Sequence, residues 1–157
     1  MPGSPLPVSN LCEYVEASAR RFPERVAVVE PGGNSLTYRE LNDRADRIAG
    51  FLAKRGVRPG DCVGLAQPKS LATLCAIFGI VKTRAAYVPV DSSAPPARIR
   101  TILEDCQVSA LFADQRCATL APCAHTVVAL STSTAPSSAL LTNRIPSSLC
   151  CTVLKEC

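Results

Sequence analysis

Tryptophan is absent from this 157-residue sequence, and aromatic residues make up only 4% of it. Stacking platforms of the kind that grip single-stranded nucleic acid therefore have few candidates, and nucleic acid is not an expected partner. The longest nearly apolar run, Leu71 to Val81, is too short for the roughly 20 residues a membrane helix needs. Met1 to Asn10 lacks both the basic start and the apolar stretch of an export signal. A reducing cytoplasm is the expected compartment. The formal charge of +4 is spread along the chain without a polybasic block. Glycine is missing beyond Gly79, which bears on phosphate chemistry below.

Cysteine, by contrast, is plentiful, with nine residues. An odd number with no export signal does not read as a disulfide framework. Cys12, Cys62, Cys75 and Cys106 sit among apolar neighbours, where a free thiol behaves as a small hydrophobe. Cys117, Cys123, Cys150, Cys151 and Cys157 contain no C-x-x-C pair, and His125 is the sole histidine. No metal site is expected.

Periodicity supplies the elements. Asn10, with Glu13 three residues on, can cap a helix whose Leu11, Val15, Ala19 and Phe22 share one face before Pro23. Val26 to Glu30 reads as a short buried strand, and Pro31-Gly32-Gly33-Asn34 as a hairpin turn. Thr37 and Glu40 form a capping box, with Leu36 and Leu41 at the flanking staple positions. The helix they start carries Leu41, Ala45, Ile48 and Leu52 on one face and ends at Gly56. Pro59-Gly60-Asp61 turns the chain into a strand over Cys62 to Ala66, and Pro68-Lys69-Ser70 introduces a helix with Leu71, Leu74, Cys75, Phe78 and Val81 facing the core. Ala85 to Val90 reads as a buried strand whose Pro89 must lie at an edge, bulge or strand end. Pro95 and Pro96 suit the first turn of a helix pointing Ile99, Ile102 and Leu103 inward, and Val108 to Phe112 and Val127 to Leu130 read as strands. This alternation predicts an α/β fold, a largely parallel sheet flanked by helices. Ser131 to Ser138 is low in complexity, and residues 131–157 read as a disordered tail.

Two segments carry a resemblance. Leu36-Thr37-Tyr38-Arg39-Glu40-Leu41 is similar to the L-T-Y-x-E-L motif of the AMP-forming adenylating ligases, the acyl-CoA synthetases and the adenylation domains of nonribosomal peptide synthetases. Val81-Lys82-Thr83-Arg84-Ala85-Ala86-Tyr87-Val88-Pro89-Val90-Asp91 resembles their L-K-A-G-x-A-Y-x-P-x-D motif, with Arg84 at the family's glycine. A left-handed Arg84 would be strained by about 1 kcal/mol. Ser18 to Pro23, Pro95 to Arg98 and Ile102 to Asp105 agree with the family text. The resemblance covers residues 8–130 and implies part of the N-terminal domain of an AMP-dependent ligase. The tail's change of texture, with three cysteines in the last eight residues, reads as a shifted frame or a premature end.

The resemblance implies a carboxylate attacking the α-phosphate of ATP, with Mg as counter-ion, and transfer of the acyl group from the adenylate to a thiol of CoA or a carrier protein. The family's phosphate loop, nucleotide-binding acid, metal-holding glutamate and C-terminal lysine have no counterpart here, so no catalytic, cofactor-binding or metal-binding residue is assigned. Backbone amides close on phosphate only where side chains leave room, and the chain has no glycine after position 79. Plain roles are expected for the residues that tempt otherwise: a solvated first turn for Lys69-Ser70, and turns or caps for Asp91, Asp105 and Asp114. The expected behaviour is an inactive ligase fragment. The alternatives are a non-enzymatic interaction module, with a protein partner covering a truncated sheet, and a cysteine-metal module.

Overall fold

The computed structural model describes residues 10–113, together with the backbone of strands at 126–130 and 151–154. The element order is α1 (Leu11–Arg21), β1 (Val26–Val29), β2 (Ser35–Thr37), α2 (Tyr38–Lys54), β3 (Cys62–Ala66), α3 (Leu71–Lys82), β4 (Ala86–Pro89), α4 (Pro96–Asp105), β5 (Ala110–Ala113), β6 (Thr126–Leu130) and β7 (Cys151–Leu154). β1 and β2 form an antiparallel hairpin. The other strands make one parallel sheet in the order β4-β3-β5-β6-β7. The expected α/β architecture is therefore present. β7 falls inside the segment read as a disordered tail, where four residues pair with β6. The rest of that tail, with Asp114 and His125, lies outside the described residues.

The capping box forms as the sequence predicts: Thr37 Oγ1 accepts from Glu40 N at 3.2 Å, and Glu40 Oε2 accepts from Thr37 N at 2.8 Å. The Thr37 amide first, and then the Thr37 hydroxyl, which donates to Glu40 Oε2 at 3.1 Å, hold the Glu40 carboxyl below its ordinary range. All four apolar residues of the predicted α2 face are buried. Gly56, at φ +87°, takes the left-handed conformation expected after the helix. Gly33 N donates to Glu30 O and Glu30 N to Asn34 O, closing the expected hairpin.

Four packing expectations are corrected. Val26 and Val29 are 55% and 62% exposed, because β1 belongs to the two-stranded hairpin and only Ala27 and Val28 reach the core. Leu11 is exposed, and the inner face of α1 is instead Cys12 and Val15. Cys12 Sγ donates to Phe78 O at 3.3 Å, and Asn10 Nδ2 to Val81 O at 3.2 Å. These bonds set the rotation of α1. Ala86, Tyr87 and Pro89 are exposed, since β4 is the sheet's edge strand, one of the places open to Pro89. α3 buries Cys75, Ala76, Gly79 and Ile80 most deeply, while Leu71, Leu74 and Phe78 are only half-buried. Sandwiched between sheet and α2, the helix has a wider buried face than one stripe.

Two apolar clusters cover the two faces of the sheet. Val63, Leu65, Ala110 and Phe112 pack with α2 and α3, while Ala66, Leu111 and Ala113 pack with Ile99 and Leu103 of α4. Gly79 is where α3 meets α2: a Cβ there would stand 2.5 Å from Ile48 Cγ2 and 3.1 Å from Ala45 O. Gly79→Ala should therefore destabilise the protein by about 1–3 kcal/mol despite alanine's better helix propensity, read as a lower urea midpoint. Arg84 has φ +60° as the motif alignment implies, with its amide held by Val81 O and its carbonyl by Gly60 N. Arg84→Gly should raise stability by about 0.5–1 kcal/mol, strain relief outweighing the added freedom of the unfolded chain. The same titration checks it.

Candidate functional site

From β3 the chain passes through α3 to β4 on one side, then through α4 to β5 on the other. α3 and α4 consequently cover opposite faces, and the strand order reverses between β3 and β5. In open parallel sheets the crevice outside the carboxyl ends of such strands is where ligands bind. Here that position holds the Ala66-Gln67-Pro68 turn and the end of β5, and Gln67 Nε2 donates across it to Ala113 O at 3.2 Å.

Three backbone amides beside this place are engaged within the chain. At the start of α3, Leu71 N donates to Glu30 Oε1 at 3.3 Å, Thr73 N to Ser70 Oγ at 3.1 Å, and Leu74 N to Ser70 O at 3.1 Å. Ser70 is thus the helix cap, and Lys69 is exposed beside it, the plain roles expected of both. Asp91 closes a turn by accepting from Ser93 N and Ser93 Oγ, bonds that lower its carboxyl pKa. Asp105 is exposed at the last position of α4. Among the described residues, no group of three or more His, Cys, Asp or Glu could hold a metal ion. Nor is any described helix long and apolar enough to cross a membrane.

A second polar place lies between α1 and α2, a cleft of about 340 Å³ lined by Glu16, Arg20, Arg39, Asn42, Asp43, Asp46 and Lys82. Lys82 closes its floor with a side chain only 8% exposed, its Nζ 2.8 Å from Glu16 Oε1, 2.6 Å from Asp46 Oδ1 and 2.9 Å from Asn42 Oδ1. Burial opposes its charge, but the hydrogen bonds and charges of Asp46 and Glu16 outweigh burial and raise its pKa. Lys82 is a cation at neutral pH, joining three helices. Arg39 is paired with Glu24 at the rim. All three donors of the ammonium are taken, so the cleft's floor acts as a structural junction. Composition and periodicity give Lys82 no role of its own. One signal does point to it: Asn42 and Asp46 stand one turn apart on the polar side of α2.

Comparison with known proteins decides the family. A family model described as "AMP-binding enzyme" matches residues 15–148. The chain belongs to the AMP-binding enzymes. Tyrocidine synthase 2 of Brevibacillus parabrevis is 42% identical over 99 residues, 63% of this chain and 3% of that protein. Among solved structures, the anthranilate CoA ligase AuaEII in complex with anthranoyl-AMP superposes with a TM-score of 0.70 at 27% identity, covering 76% of this chain and 24% of the ligase. The nonribosomal peptide synthetase FmoA3 superposes with a TM-score of 0.65 at 38% identity, covering 73% of this chain and 12% of that one. The chain therefore spans a small part of the AMP-binding relatives it matches, and corresponds to the N-terminal part of their adenylating unit.

In this member of the family, the second family-like segment includes Lys82, so part of that motif serves helix packing. Lys82→Met should destabilise the protein at pH 7 by about 1–3 kcal/mol, less than a fully buried pair would cost because Glu16 and Asp46 keep 35% and 54% exposure. A raised lysine pKa contributes stability that is complete below the ordinary value near 10.4 and lost as pH rises through the folded value. The gap between wild type and Lys82→Met in urea titrations should accordingly narrow above about pH 10.5.

Proposed function

We propose that this chain supplies the opening scaffold of a ligase that activates a carboxylic acid as its acyl-adenylate and passes the acyl group to a thiol, and that the chain does not catalyse this by itself. Family membership supports the reaction class. The observation that carries the second half is the switch point: Gln67 is bonded across it, and the amides of Leu71, Thr73 and Leu74 at the neighbouring helix start are engaged within the chain. The described residues do not fit ATP or Mg: among them no group of three acidic or metal-ligating side chains gathers, and the amides of Leu71, Thr73 and Leu74 are engaged. In the complete enzyme both would be held by residues beyond those described.

An amino acid is the favoured acid, because FmoA3, at 38% identity, is named a nonribosomal peptide synthetase, whereas the CoA ligase AuaEII is only 27% identical. The acyl acceptor would then be a carrier-bound thiol rather than CoA. A cytoplasmic setting, where ATP and carrier thiols are supplied, fits this reading. The non-enzymatic interaction module is not favoured, since the family match runs across both apolar clusters and the switch point. Exposed β4 would in a complete enzyme be a surface for further protein to cover.

Purified chain supplied with ATP, Mg and the twenty amino acids should show no acid-dependent exchange of pyrophosphate into ATP. Clear exchange with any amino, aryl or fatty acid would overturn the claim that it is inactive alone.

A further inference from the structure

The α4 face of the sheet carries a pair of thiols that the scaffold role does not use. Side chains alternate along a strand, so Cys62 projects from β3 on the same side as Gly64. Gly64 lies directly under α4: a Cβ there would stand 3.1 Å from Leu103 Cδ2 and 3.3 Å from Val108 Cγ1. α4 links the parallel strands β4 and β5 and therefore runs antiparallel to β3. Starting where Leu103 overlies Gly64, three residues toward the C-terminus of α4 advance about 4.5 Å to Cys106. Two residues back along β3 advance about 6.6 Å, toward the same end of the sheet, to Cys62. The chain leaving α4 then closes onto Cys62 itself, whose carbonyl accepts from Ser109 N at 2.9 Å and from Ser109 Oγ at 3.1 Å.

Both cysteines are free thiols, both are half-buried, and both pack against the one apolar cluster beneath α4. Their partial exposure leaves them open to a small reagent. Cys12 and Cys75 are buried in the α1 to α3 layer on the opposite face of the sheet. Among the described cysteines, Cys106 is thus the one placed to meet Cys62.

We propose that Cys62 and Cys106 form a redox-sensitive dithiol, closing to a disulfide by exchange with a low-molecular-weight disulfide such as oxidised glutathione. One cysteine, as its thiolate, attacks a sulfur of the oxidant, forming a mixed disulfide and expelling a glutathione thiolate. The second thiolate then attacks the protein sulfur of that bond, closing the Cys62–Cys106 bridge and expelling the second glutathione. Two electrons pass from the protein to the oxidant, and the two protons lost by the cysteines end on two glutathione thiols. The bridge ties the end of the α4 crossover to the strand next to the switch point. Reduced glutathione reverses it by the same steps.

The test incubates the full chain with oxidised glutathione, alkylates without reductant, digests, and reads the peptides by mass spectrometry. The expected product is a linked pair joining the Cys62 and Cys106 peptides, two hydrogen masses lighter than the separate reduced peptides and split by reductant into two thiols. Recovery of the two cysteines as separate alkylated thiols, as separate glutathione adducts, or as bridges to other cysteines would overturn the proposal.

Discussion

Three helices of this chain are held in register by a single buried ammonium. Lys82 ends α3, the helix that packs on the sheet, and its three hydrogen bonds reach Glu16 on α1 and Asn42 and Asp46 on α2. Taking such a charge out of water costs several kcal/mol, so the site is stable only with its full set of acceptors. That requirement fixes geometry. α2 must lie close enough to α3 for two of its side chains to converge on one nitrogen, and the close approach exists because Gly79 presents no side chain to Ile48. α1 is in turn rotated by what α3 offers it: the carbonyls of Phe78 and Val81, and Lys82 itself. The exposure of Leu11 and the burial of Cys12 follow from those contacts.

The sheet repeats the same logic on its other face. Gly64 in β3 lets Leu103, Val108 and Leu111 close over the strand, as Gly79 lets α2 close over α3. With one crossover helix on each side, the strand order must reverse between β3 and β5, and this reversal creates a crevice outside the carboxyl ends of the two strands. Fold and family agree at this point, but function needs more than fold. At the crevice the described residues offer a neutral amide spanning two strands and a helix start whose amides are engaged.

Local signals are legible in the sequence wherever one segment carries the whole interaction. The Thr37–Glu40 box, the Leu41, Ala45, Ile48 and Leu52 stripe, the Gly32-Gly33 turn and the Pro95-Pro96 helix start each involve neighbours in sequence, and all appear as read. The misreadings share a different origin. Val26, Tyr87 and Leu11 are apolar residues whose exposure depends on which strand or helix lies beside them, and a single segment does not contain that information. Lys82 escapes notice for the same reason: a charged residue at a helix end looks solvated until its partners, 36 and 66 residues away, are seen to converge on it. The candidate site divides similarly. Ser70 and Asp91 are readable as caps and turns, whereas the bridging of the switch point by Gln67 needs the topology.

The second family-like segment shows how far a motif can serve packing rather than chemistry. Its lysine joins helices, Arg84 turns the chain at positive φ, and the following residues form an edge strand that leads into the Asp91 turn. The turn at Arg84 is held from both sides, by Gly60 N on its carbonyl and by Ala86 N on Asp61 O. That pairing aligns β4 with β3 from its first residue, since Cys62 sits opposite Ala86. A strained residue is tolerated here because the bonds around it fix the register of the parallel pair, and a slip of one residue would turn every side chain of β4 to the opposite face. The segment therefore sets the edge of the sheet and its register with β3.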